Sequence, residues 1–271
     1  MSSIPQIDRD GLASKALASL VHQCEQDPKL ANDKNIHIVI NTGKPIGIKN
    51  DYVPRIIPLK ACKLHKPSDL RILLITKDPS TLYRETISKD TATEGLFKDI
   101  ISVRNLKAKY RGSRLSMLFR EYDLVVADYR VHHLLPHILG SAFYHSNKKL
   151  PFVLQMSRAV KVKGAKMAEG CDPQYIRAQL RSICRNTSYV PNNDNCLSVK
   201  IGEVGVHEVE EMASNIQDVV DFLSDKKNKP QGGIIRGGIA SIFVKTGNST
   251  SLPVYRAKKK EQPAPEKELR L

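Results

Sequence analysis

Cationic side chains carry the most conspicuous chemistry in this sequence. Arg177, Arg181 and Arg185 are spaced by four, so on a helix they stand in one row. Each guanidinium in such a row can bridge two phosphate oxygens. Between residues 44 and 66, six cations (Lys44, Lys49, Arg55, Lys60, Lys63, Lys66) face one acid, Asp51. Between residues 158 and 166, Arg158, Lys161, Lys163 and Lys166 face none. Over 271 residues, 43 Lys and Arg oppose 28 Asp and Glu, a formal charge of +15. A polyanion suits that surplus, nucleic acid first and an anionic membrane second. With no Trp and only 6% aromatic residues, base stacking on an aromatic platform is not the expected mode. Phosphate contact is, with binding that weakens steeply as salt rises. The ordinary fate of any single lysine-rich run is a solvated face; several runs in one unit shift the balance.

Other chemistries fit less well. Thr42-Gly43-Lys44 is followed by Pro45 and lacks the earlier glycine of a phosphate loop. Residues 232–238 are glycine-rich but precede a strand, so they make no dinucleotide fingerprint; a backbone that approaches a partner closely is the expected use. His133 and His137 have metal-ligand spacing beside His132 and Asp128, but Pro136 interrupts them, and Cys62 with His65 lacks a second pair. No metal and no cofactor is expected. Asp123 and Asp128 flank an apolar run, and a carboxylate at a parallel strand's C-terminal end can be catalytic. No matching nucleophile or base accompanies them, so an enzyme using that region stays a secondary alternative. Five widely spaced cysteines with no Cys-x-x-Cys read as reduced thiols of the cytosol or nucleus. No run reaches the roughly 18–20 apolar residues of a membrane span. The first ten residues do not read as a signal peptide, and no basic amphipathic helix with bulky anchors suggests membrane docking.

The elements that must position these groups follow from periodicity. Residues 8–27 predict a helix, with Leu12, Ala16, Leu20 and Cys24 at four-residue steps. Residues 36–40 predict a strand, 41–45 a turn, and 55–59 a short strand. Residues 70–75, 100–103, 122–127 and 151–154 are nearly continuous apolar runs separated by helical patterns, as in a parallel sheet covered on both faces. Residues 158–185 read as mostly helical, 187–190 and 196–201 as strands. A long helix is expected over 206–227, buried through Val206, Val209, Ala213, Ile216, Val220 and Leu223. Strands follow at 239–244 and 252–255, then a disordered basic tail from about 257. The fold class is therefore α/β in two domains. Residues 1–68 and 156–256 form a discontinuous domain, and 69–155 form an inserted doubly wound, Rossmann-like unit.

The run Tyr122-Asp123-Leu124-Val125-Val126-Ala127-Asp128-Tyr129-Arg130 continues through Leu134-Leu135-Pro136-His137-Ile138-Leu139-Gly140 to Phe143-Tyr144 and Lys148-Lys149-Leu150-Pro151. With Val199-Lys200-Ile201-Gly202 and Ser241-Ile242-Phe243-Val244-Lys245-Thr246, it resembles the ribosomal protein L-one family. The resemblance spans roughly residues 8–256. It implies a split domain carrying both termini, a hinged insert, and a grip on structured RNA through residues 41–55 and 245–251. Ribosomal members carry Thr-Met-Gly-Pro-Ser in the C-terminal loop; this chain has Thr246-Gly247-Asn248-Ser249-Thr250-Ser251. That departure and the long 157–191 stretch are more similar to the nucleolar assembly factors of the family, of the small-subunit-processome type, than to the stalk protein of mature large subunits.

The resulting expectation is a non-enzymatic ribosome-biogenesis factor of the nucleus and nucleolus, a monomer outside the pre-ribosome, with pre-rRNA and pre-ribosomal proteins as partners. Lys44, Lys49, Arg55, Lys200 and Lys245 are the expected phosphate contacts. Thr246, Asn248 and Ser249 would add hydrogen bonds, and Arg177, Arg181 and Arg185 a secondary surface. The stalk protein and the enzyme near Asp128 are the alternatives.

Overall fold

Alternating Ile36, Ile38 and Ile40 put one apolar face on a strand, and that face needs a cover. In the computed structural model, which describes residues 5–8, 11–30, 33–145, 149–158 and 170–257, the strand is β1, Asn35–Lys44. β8 (Cys196–Glu203) and β9 (Arg236–Lys245) pair with it antiparallel on its two edges, and β10 (Leu252–Arg256) extends the sheet in the order β10-β9-β1-β8. Helices α1 (Leu12–Gln26) and α7 (Val209–Ser224) pack together on the isoleucine face. Leu17, Leu20, Ile216, Val220 and Leu223 are fully buried there.

The apolar runs of the middle form a second sheet, all parallel, in the order β4-β3-β5-β6. Its strands are β3 (Ile72–Thr76), β4 (Asp99–Ser102), β5 (Leu124–Asp128) and β6 (Phe152–Leu154). Every residue of β3 is buried, as a strand covered on both faces requires. Helices α3 (Val103–Lys109), α4 (Arg114–Glu121) and α5 (Leu135–Tyr144) cover one face. Helices α2 (Thr81–Lys89) and α6 (Pro173–Arg185) cover the other. A two-stranded ribbon of β2 (Arg55–Ile57) and β7 (Thr187–Tyr189) completes the strands.

Several expectations change. Residues 41–44 continue β1 instead of turning, and Pro45 follows its end. Paired with β9 through two register shifts and held on the other edge by the Thr42 amide donating to the Asn195 carbonyl at 2.8 Å, the backbone stays extended, and the Thr42 hydroxyl donates to the Lys44 carbonyl at 2.7 Å. Gly43 is required here, because a Cβ would lie 2.5 Å from the Gly237 carbonyl oxygen. The long helix spans Val209–Ser224, not 206–227, and Val206 is 62% exposed in the turn before it. A capping box between Glu208 and Glu211 sets that start. The glycines of 232–238 serve internal packing: Cβ atoms at Gly232 and Gly233 would meet the Phe222 and Asp225 carbonyls at 2.5 and 2.6 Å. Helix α6, grouped by sequence with the discontinuous unit, packs Ile176, Leu180 and Ile183 against the parallel sheet. Lys148, Lys161, Lys163, Lys166 and the tail from 258 lie outside the described residues.

Asn215 stitches the first layer. Fully buried on α7, it donates to the Ile201 carbonyl at 3.0 Å and accepts from the Cys62 amide at 3.2 Å. Asn215→Ala strands both backbone groups and is expected to cost about 2 kcal/mol. Thermal denaturation of the variant measures this; an unchanged melting temperature refutes it.

Candidate nucleic-acid interface

Among the described residues, helices cover only one face of the antiparallel sheet, so the pleat turns every second side chain of β1, β8 and β9 onto a helix-free face. The registers place His37 opposite Lys200 on β8 and Lys245 on β9. Val39 lies between Ser198 and Phe243. Asn41 lies between Cys196 and Ser241, and its amide donates to the Ser241 hydroxyl at 3.0 Å. From β10 the Arg256 guanidinium sits 5.9 Å from the Phe243 ring centre. The face is a polar, cationic plane with one aromatic ring.

At the far end of β1, exposed Lys44 pairs in register with exposed Arg236. Lys226, Lys229 and Arg236 rim a neighbouring groove of 470 Å³. Lys44 and Lys245 thus mark opposite ends of β1, roughly 23 Å apart at strand rise. Exposed Lys49 follows Lys44 in the adjoining loop.

The 246–251 loop is tied inward. Thr246 is fully buried; its amide donates to the Ser249 hydroxyl at 2.9 Å, and the Ser249 amide returns a bond to the Thr246 hydroxyl at 3.2 Å. The Asn248 amide and side chain both donate to Asp33, at 2.7 and 3.1 Å. These side chains shape the loop, and the Lys245 ammonium beside them carries the charge. Lys200 is only partly free. It lies 3.6 Å from Glu203 and 3.2 Å from His65, and burial lowers its pKa against the pull of Glu203. It faces a 670 Å³ cleft whose opposite wall comes from the parallel-sheet unit, including Asp123 and Phe152. Arg55 pairs with Asp51 at 3.3 Å on the small ribbon. Arg177 and Arg181 are exposed and Arg185 half-buried on α6, so this row lies on a helix that covers the parallel sheet.

Asp128 is buried and held by the Arg130 side chain at 2.5–3.1 Å, while Arg130 also donates to the Tyr83 hydroxyl at 2.6 Å. A carboxylate neutralised this way anchors a loop. Phe243, Arg256, Arg236 and His37 were not singled out from the sequence. The two-residue alternation of β1 and β9 held that signal, but only the register puts these residues beside one another.

The family model for the Ribosomal protein L1p/L10e family matches residues 20–250. The chain is 63% identical over 250 residues to Ribosome biogenesis protein UTP30 of Saccharomyces cerevisiae, covering 92% of this chain and 91% of that one. It is 23% identical over 212 residues to Ribosomal L1 domain-containing protein 1 of Mus musculus, covering 73% of this chain and 42% of that one.

Burial, then Lys200 and Lys245, hold the His37 imidazole well below its usual 6.5, at about 4, with Asp33 opposing. The unfolded chain therefore takes up a proton that the folded chain refuses. His37 contributes a loss of stability as pH falls from about 6.5 to about 4, and none above that window. NMR titration should find the ring neutral at pH 5, and His37→Gln should flatten this part of the stability curve. A ring titrating near 6.5 refutes the placement.

Proposed function

The chain belongs to the ribosomal protein L1p/L10e family, and from that membership we propose a ribosome-biogenesis factor that docks on a folded pre-rRNA helix without catalysing a reaction. The close, nearly end-to-end similarity to a ribosome biogenesis protein favours this role over that of the mature stalk protein. The observation that carries RNA docking is the helix-free sheet face, with Lys245 and Arg256 on it and Lys44 and Arg236 at its end. A rigid sheet holds such cations at fixed spacing, which suits the regular phosphates of a duplex. Lys49 extends the cationic end at Lys44, and Lys200, opposite His37 like Lys245, supports the other end from the cleft. Arg55 on the small ribbon and the α6 arginines on the parallel sheet's cover are a secondary surface. Thr246, Asn248 and Ser249 act by fixing the loop that presents Lys245.

The same reading places the protein in the nucleus and nucleolus, in contact with pre-ribosomal proteins, and as a monomer when released. It retains the division into a split unit (1–68 and 156–256) and an insert (69–155), with α6 packed on the insert's sheet. The caged Asp128 supports a non-catalytic role for the parallel-sheet end.

Crosslinking in cells followed by sequencing of the attached RNA is expected to give a peak on ribosomal precursor. Reads scattered over messenger RNA would refute the assignment. In vitro, replacing Lys44, Lys49 and Lys245 together with alanine should weaken duplex RNA binding and reduce the log–log salt slope by about three. An unchanged slope would mean that another face binds.

A further inference from the structure

Residues 104–114 contain five cations, Arg104, Lys107, Lys109, Arg111 and Arg114, and no acid. They lie on α3, the turn after it and the start of α4, on the parallel-sheet unit. All five are exposed, and no ion pair occupies any of them among the described residues. Arg104 and Lys107, three apart on α3, share one side of the helix, and the Arg111 Nε, from the turn beyond it, donates to the Lys107 carbonyl at 2.8 Å. The Arg114 guanidinium donates to the Lys109 carbonyl at 3.3 Å. Lys109 and Arg114 also line a 490 Å³ groove together with Met117 and Tyr110. The groove's acids are already engaged: Asp99 with Arg84 at 3.2 Å and Glu121 with Lys98 at 3.6 Å.

A purely structural role explains part of this set. Lys107 and Lys109 sit in the last turn of α3, where cations complement the helix dipole, and the two arginines cap its terminal carbonyls. Arg104 has no such reason. It occupies the second position of α3, where the dipole disfavours a cation, while Asp78 already accepts its backbone amide at 3.1 Å. The two guanidiniums braced against carbonyls are pre-ordered and keep further N–H donors facing outward.

We propose that this α3–α4 surface is a second phosphate-binding site, which takes the backbone of structured RNA independently of the open sheet face. The proposal rests on the RNA-docking reading and deepens it: the chain would grip RNA through both of its sheet units. An RNA backbone fits better than an acidic peptide. The charges run along α3 and the turn into α4, and Met117, at 67% exposure, is the strongly exposed apolar side chain beside them among the described residues. A peptide would need a longer row of apolar anchors.

The full chain is titrated with an RNA duplex of roughly 20 base pairs at several salt concentrations. Arg104→Gln, Lys107→Gln and Lys109→Gln together should weaken binding roughly tenfold to a hundredfold near physiological salt and lower the slope by about three. The charge-keeping variant Arg104→Lys, Lys107→Arg and Lys109→Arg should bind as the unsubstituted chain does. Unchanged binding in the Gln variant, with weakening in the Lys44, Lys49 and Lys245 variant, overturns the second site and leaves the sheet face standing. Weakening in the Gln variant alone keeps the second site and removes the sheet face. Equal loss in the charge-keeping variant overturns it as an electrostatic site. Binding of poly-L-glutamate through these side chains, with RNA binding unaffected by their removal, overturns it in favour of an acidic protein partner.

Discussion

Strand β1 has a partner on each edge but a helical cover on only one face. Its alternating isoleucines drive α1 and α7 onto one side, and burial of that face is the main stabilisation available to the unit. Because the side-chain period is two, committing Ile36, Ile38 and Ile40 to the core commits His37, Val39 and Asn41 to the opposite plane. The helix-free plane, half-buried along β1, is therefore a consequence of the core. A one-residue slip would bury the polar set and expose the isoleucines together.

The parallel sheet answers the same problem differently. β3 is buried on both faces, so it has no plane to offer a partner. Its accessible chemistry lies on the helices around it. That is why the α6 arginine row and the α3–α4 cations sit on helix exteriors, while Asp128 at the strand end is enclosed by Arg130 and Tyr83. One unit displays charge on a flat lattice set by strand spacing, the other on curved helical surfaces.

Much of this was legible beforehand. The core stripe of α7 followed the three-and-four spacing from Val209 to Leu223, and the four parallel strands matched the apolar runs. Errors arose where tertiary pairing overrode local preference. Asn41-Thr42-Gly43-Lys44 has turn chemistry, yet neighbours on both edges keep it extended. Val206 continued the apolar spacing, but the Glu208–Glu211 cap starts the helix beyond it. The polar residues of the 246–251 loop, expected as hydrogen-bonding groups toward RNA, bond in this structure to one another and to Asp33.

Composition and periodicity alone determined the charge surplus, the α/β class and the order of the main elements, because these depend on local backbone geometry and on apolar spacing. The motifs around residues 122–151 and 199–246 also pointed to the family. Tertiary structure decided which cations share a surface. Lys44 meets Arg236, Lys245 meets His37, and Arg256 meets Phe243 only through strand register. For the β1–β9 pairs, register is set by hydrogen bonding between segments some two hundred residues apart, and no local pattern encodes it.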